Sequence, residues 1–104
     1  GYLRKQTNTV FNLWNTRYFY LDGVNLAYFM DEKTDKPRKI IDLEDCIIDG
    51  IFRSGELYTF TIRSLKNDDV LFYLGAYSEN EAEDWVNTLK SAVKLIEYEK
   101  MAEQ

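Results

Sequence analysis

The chain has 104 residues, of which 45% are hydrophobic, 15% aromatic and 30% charged. That is the composition of one folded domain, and it excludes a disordered chain. There is no histidine and one cysteine, Cys46, so histidine-based catalysis, His/Cys metal sites and internal disulfides are excluded, and a formal net charge of −5 argues against nucleic acid as a partner.

No apolar run approaches the ~20 residues of a membrane span, and no signal-peptide pattern opens the chain. A start at Gly1 without Met predicts a single domain over 1–104, cut from a longer protein. Seven short strands are predicted near 1–5, 14–21, 24–30, 38–43, 46–52, 57–63 and 70–75, from their β-branched and aromatic residues. Asp22-Gly23 is read as the two-residue turn of a hairpin, which pairs Leu21 with Val24 and Arg17 with Tyr28. Thr34-Asp35-Lys36-Pro37, Arg53-Ser54-Gly55-Glu56 and Lys66-Asn67-Asp68-Asp69 are further turns. Cys46, beside Ile47 and Ile48, reads as a small core residue and fits a reducing compartment.

The period then changes. Ser78 with Glu81 is a capping box, and Ala82, Trp85, Val86, Leu89, Ala92, Val93 and Ile96 recur at helical spacing. A helix over about 79–98 follows, with a tail at 99–104. The pattern predicts a mostly-β fold with one C-terminal helix: a small antiparallel barrel or sandwich whose open end is capped by that amphipathic helix. Trp14 and Trp85 are read as core anchors.

Charge is unevenly distributed. Residues 1–40 carry seven Lys/Arg against four Asp/Glu, a net +3, whereas residues 41–104 carry six against fourteen, a net −8. Strand side chains alternate between faces. Arg17 shares a face with the core residues Phe19 and Leu21, and Lys5 shares one with Leu3. A cation on a core-side face must sit at the rim, where the barrel opens to water. Tyr28 and Arg38 fall at the same end. Lys5, Arg17, Tyr28 and Arg38 therefore converge on one mouth suited to a multiply phosphorylated anion. The segment 6–13 between Lys5 and Arg17 carries Val10, Phe11 and Leu13, apolar side chains placed to dip into a bilayer.

The chain resembles a pleckstrin homology (PH) domain over residues 1–97. The resemblance rests on Gly1-Tyr2-Leu3-x-Lys5, Trp14-x-x-Arg17-Tyr18-Phe19-x-Leu21, Leu26-x-Tyr28-Phe29, Pro37-Arg38-x-Ile40-Ile41-x-Leu43, Phe60-x-Ile62, Phe72-x-Leu74-x-Ala76 and Glu81-Ala82-Glu83-x-Trp85-Val86. It implies a seven-stranded bent antiparallel barrel or sandwich capped by a helix. It also implies a phosphoinositide-headgroup site in which Lys5, Arg17, Tyr28 and Arg38 match the family's ligands. Asn15 stands where strong binders carry a basic residue two before the Arg, and Asn12 stands at another position that is often Lys. The implied activity is non-enzymatic recruitment of a parent protein to anionic membrane, at modest affinity, with Asn15 as a further headgroup contact. The module is then peripheral to membranes on the cytoplasmic side. The alternative is a protein-interaction module of the same fold without significant lipid binding. No nucleophile–base pair and no Gly-rich phosphate loop is present, and no cofactor or metal is expected.

Overall fold

The computed structural model describes residues 1–8 and 10–103. Seven strands, β1 (Tyr2–Asn8), β2 (Leu13–Asp22), β3 (Asn25–Phe29), β4 (Lys39–Asp42), β5 (Cys46–Ser54), β6 (Leu57–Ser64) and β7 (Val70–Ala76), precede one helix, α1 (Glu79–Ala102). They form a single antiparallel sheet in the order β4-β3-β2-β1-β7-β6-β5. A 3₁₀ turn at Leu43–Asp45 carries the chain from β4 to β5.

The sheet bends around one core. Leu3, Phe19, Leu26, Ile41, Leu43, Phe60, Ile62, Phe72 and Leu74 fill it from the strands, and Ala82, Val86 and Leu89 close it from α1. These helix residues recur every three or four positions, so one stripe of α1 faces inward. Cys46 is buried with them as a free thiol, and burial pushes its pKa up. Ser78 Oγ accepts the Glu81 backbone N–H at 3.3 Å and caps the helix.

Four expectations need correction. The first hairpin pairs Leu21 with Leu26 and Phe19 with Tyr28, so Arg17 does not pair with Tyr28. Gly23, at φ 61°, is the first of two loop residues, Gly23 and Val24, closed by the pair Asp22–Asn25. Such a turn asks for positive φ only at its glycine, whereas a loop centred on Asp22-Gly23 would place Asp22 there too. The slip is two residues long, so every side chain keeps its face.

The helix runs to Ala102, four residues past the expected 98. No Gly or Pro stops it, Glu, Lys, Met and Ala propagate it, and Lys100 pairs with Glu44. Of the tail, Gln104 lies outside the described residues. Leu13 begins β2, opposite Asn8, and is not part of the loop. Trp14 is not in the core. It alternates with Tyr18 and Tyr20 on the outer face, whereas Arg17, Phe19 and Leu21 hold the inner one.

Candidate functional site

The registers of four adjacent strands build the site. Lys5 lies opposite Asn15 and Leu3 opposite Arg17 across β1–β2. Phe19 lies opposite Tyr28 across β2–β3, and Tyr28 opposite Lys39 across β3–β4. Residues directly opposite each other share a face. Lys5, Asn15, Arg17, Tyr28 and Lys39 therefore line the inner side of the sheet, at the end where the core gives way to solvent. Arg38 immediately precedes β4, and its N–H donates to the Tyr28 carbonyl at 2.8 Å. Its side chain is exposed.

Aromatic rings form the floor. Tyr28 stacks on Phe19 with centroids 5.5 Å apart and meets Phe72 edge-on at 5.5 Å. The Lys5 ammonium lies 5.2 Å from the Tyr28 ring centroid and 5.5 Å from that of Phe72. The Lys39 ammonium lies 5.8 Å from the Phe72 centroid. Both lysines run along apolar surface and present their charge at the same ring.

The electrostatics are one-sided. Burial first, then the positive charges of Arg17, Lys39 and Arg38, hold Lys5 below the ordinary lysine pKa. Among the described residues none of these four cations pairs with a carboxylate. Among the described residues the Arg17 guanidinium donates only to the Thr16 carbonyl, at 2.9 Å. A cluster that raises its own charging cost and leaves its donors open has the chemistry to take an anion.

The sequence placed Lys5, Arg17, Tyr28 and Arg38 at this mouth, and the structure brings all four to its rim. It also adds Lys39, which sequence reading missed. Strand parity places Lys39 there once packing has turned Ile41 and Leu43 inward, because the residue two before Ile41 then faces the same way. The two asparagines differ. Asn15 faces the mouth and donates to Thr7 Oγ1 at 2.8 Å. Asn12 takes a left-handed φ of 53° and accepts from Gln6 Nε2 and Trp14 Nε1, at 2.9 and 3.1 Å. Its amide is a brace for the turn, not a substitute for a phosphate-facing charge. Arg4, on the opposite face of β1, is bound to Thr16 Oγ1 and the Trp14 carbonyl.

Beside the mouth, Val10 and Phe11 are 85% and 73% exposed and Leu13 is 52% exposed. The Asn8 carboxamide oxygen accepts the Phe11 N–H at 3.0 Å and shapes the turn from its β1 side. Among the described residues, no group of Cys, Asp and Glu side chains is arranged to hold a metal ion, and no helix is long and apolar enough to cross a membrane.

The family model of the PH domain matches residues 1–94. The chain belongs to the PH-domain family. The PH domain is a non-catalytic module. Among curated relatives, the mouse "Dual adapter for phosphotyrosine and 3-phosphotyrosine and 3-phosphoinositide" is 34% identical over 95 residues, covering 86% of this chain and 31% of that protein. Human Rho GTPase-activating protein 25 is 34% identical over 98 residues, covering 86% of this chain and 15% of its own length. This PH chain thus spans a third or less of these relatives. The solution structure of the PH domain of human oxysterol-binding protein-related protein 11 superposes with a TM-score of 0.74 at 30% identity, covering 90% of this chain and 78% of that one.

Proposed function

We propose that this PH domain is a non-enzymatic module that binds phosphoinositide headgroups at modest affinity and recruits a longer parent protein to anionic membrane. The observation that carries the reading is the set of unpaired cations, Lys5, Arg17, Lys39 and Arg38, around Tyr28 at one end of the sheet. Lys5, Arg17, Lys39 and Arg38 grip phosphate, the Tyr28 hydroxyl donates to it, and Asn15 contributes an amide hydrogen bond. Val10, Phe11 and Leu13 enter the bilayer beside the bound headgroup. A relative named as a dual adapter for phosphotyrosine and 3-phosphotyrosine and 3-phosphoinositide supports the ligand class.

The affinity follows from the charges. Each basic residue near an anionic surface contributes about 1 kcal/mol, so four contribute about 4 kcal/mol, the scale of a millimolar interaction before direct phosphate contacts are added. The acidic remainder of the molecule opposes membrane approach and adds nothing to this figure.

The test is co-sedimentation with vesicles of phosphatidylcholine carrying single phosphoinositides, at two salt concentrations. The native domain binds at least one phosphoinositide, and binding weakens with salt. Arg17→Ala weakens binding about fivefold or more and leaves the thermal midpoint within a degree or two, because a rim cation adds little to the core. Asn15→Lys, which restores a charge facing the mouth, strengthens binding about fivefold. Silence on every phosphoinositide overturns the reading and leaves the protein-interaction alternative.

A further inference from the structure

The outer face of β1–β4, behind the mouth, breaks the usual alternation. A solvated sheet face ordinarily carries polar side chains. Here the registers Tyr2–Tyr18–Phe29 and Tyr20–Ala27–Ile40 set two adjacent rows of apolar and aromatic residues across it. Tyr2 and Tyr18 meet edge-on at 5.1 Å, and Tyr18 and Phe29 are tilted at 6.4 Å. Tyr20 and Ile40 are 57% and 58% exposed. Isolated exposed apolar residues need no explanation, but a contiguous tyrosine-rich patch has the composition of a binding surface.

Acids border the patch at the β3–β4 connection and at its far end, while Arg4 flanks it on β1 with its guanidinium held by Thr16 Oγ1 and the Trp14 carbonyl, and Lys33 lies between Glu32 and Thr34. Where it meets the β3–β4 connection there is a cleft of ≈ 150 Å³, lined by Tyr18, Tyr20, Phe29, Asp31, Glu32 and Thr34. That is below the roughly 300 Å³ at which small-molecule sites begin, and it suits a single side chain. Three aromatic rings and two carboxylates select a cation. Asp31 Oδ1 accepts the Lys33 N–H at 2.9 Å and the Thr34 hydroxyl at 3.0 Å. These bonds fix its position and hold its carboxyl below the usual range. The Glu32 N–H donates to the Tyr2 hydroxyl at 3.2 Å, which ties the loop to the patch. Among the described residues neither Asp31 nor Glu32 is ion-paired. At the far end of the same face the register Asp22–Asn25–Asp42 adds two more acids.

From this complementarity we infer that the outer face of β1–β4 docks a protein partner that inserts an Arg or Lys, flanked by apolar residues, into the Tyr18–Tyr20–Phe29 cleft. The aromatic rows take the flanking apolar side chains, and Asp31 and Glu32 take the charge. The surface is separate from the proposed headgroup mouth, because the two lie on opposite faces of the same strands. One connection serves both: residues 31, 32 and 34 line the cleft, and Arg38 and Lys39 follow at the mouth. A partner and a phosphorylated anion are therefore held at the same time.

The test is a two-dimensional amide NMR titration of the domain with an acetylated, amidated leucine–arginine–leucine tripeptide, and with its counterpart carrying neutral citrulline for arginine. The arginine peptide shifts the amides of Tyr18, Tyr20, Phe29 and Asp31–Thr34 and leaves Lys5 and Arg17 unmoved. The citrulline peptide binds about tenfold more weakly or worse. Glu32→Gln and Tyr20→Ser, both at exposed positions, each weaken the arginine peptide without lowering the thermal midpoint. Equal binding of the two peptides, no binding at millimolar peptide, or shifts elsewhere on the domain overturn the inference. Concentration-dependent self-association abolished by Tyr20→Ser also overturns it, and makes the occupant a second copy of the chain.

Discussion

Lys5 keeps its charge at a cost. Burial and the three cations around it disfavour the ammonium in the folded chain relative to the unfolded one, so its folded pKa is lowered. For a base shifted downward, the folded state is penalised while pH lies below the folded pKa, and the penalty fades as pH rises through it. A bound anion reverses the penalty and raises the pKa. Headgroup binding is therefore level at neutral pH and declines as pH rises through the Lys5 value, ahead of the exposed lysines. NMR titration of the lysine side chains checks this. Lys5 titrates below the others, and saturating soluble inositol trisphosphate moves it up. If the ligand leaves its midpoint in place, Lys5 is outside the site. At this scale the sequence was legible for Lys5, Arg17 and Tyr28, whose parity is set by Leu3, Phe19 and Leu26. It was not legible for Lys39, because Ile40 and Ile41 are adjacent and equally apolar. Only packing decides that Ile41 turns in and Ile40 out, and that choice puts Lys39 at the mouth.

At the scale of elements, α1 closes the core with Ala82, Val86 and Leu89. Trp85 packs beside them, edge-on to Phe19 at 6.4 Å, and its ring carbon Cζ2 lies against Gly1, whose N-terminus donates to the Phe19 carbonyl at 2.8 Å. Trp85 is half-buried rather than enclosed, so truncation removes less than a full core aromatic. Trp85→Ala costs about 2–4 kcal/mol, somewhat under the range for deeply buried tryptophan. Urea melts check it, and a loss below about 1 kcal/mol would remove Trp85 from the helix–sheet interface. The helical period made this residue legible from the outset. Trp14 was not, because a tryptophan invites a core assignment whatever its parity. Its alternation with Tyr18 and Tyr20 placed it outside, where its indole N–H finds Asn12. The helix end at Ala102 was hidden for another reason. The apolar stripe fades after Val93 while helix-forming residues continue, and Lys100 finds Glu44 across the fold, a pairing that no local pattern encodes.

For the molecule as a whole, the charge split along the chain becomes a direction in space. The first four strands carry the cationic mouth, and the acidic remainder supplies β5–β7 and α1. Facing an anionic bilayer, the mouth leads, and the turn with Val10 and Phe11 leads with it. Phe11 is 73% exposed and absent from the core cluster, so the fold gives it nothing to lose on mutation. Any free energy it gains comes from the bilayer, roughly 1.5–3 kcal/mol for full burial of such a side chain. Phe11→Ser then weakens binding to phosphoinositide vesicles by about tenfold or more. It leaves binding to soluble inositol trisphosphate unchanged and the thermal midpoint unmoved. Arg17→Ala weakens binding to both ligands, because in the proposed site the headgroup touches the guanidinium. Vesicle co-sedimentation, calorimetry with the soluble headgroup and a thermal melt of each variant separate the two roles. An equal loss on both ligands after Phe11→Ser, with a lowered melt, would mean that Phe11 supports the turn from within and that the bilayer is not its partner.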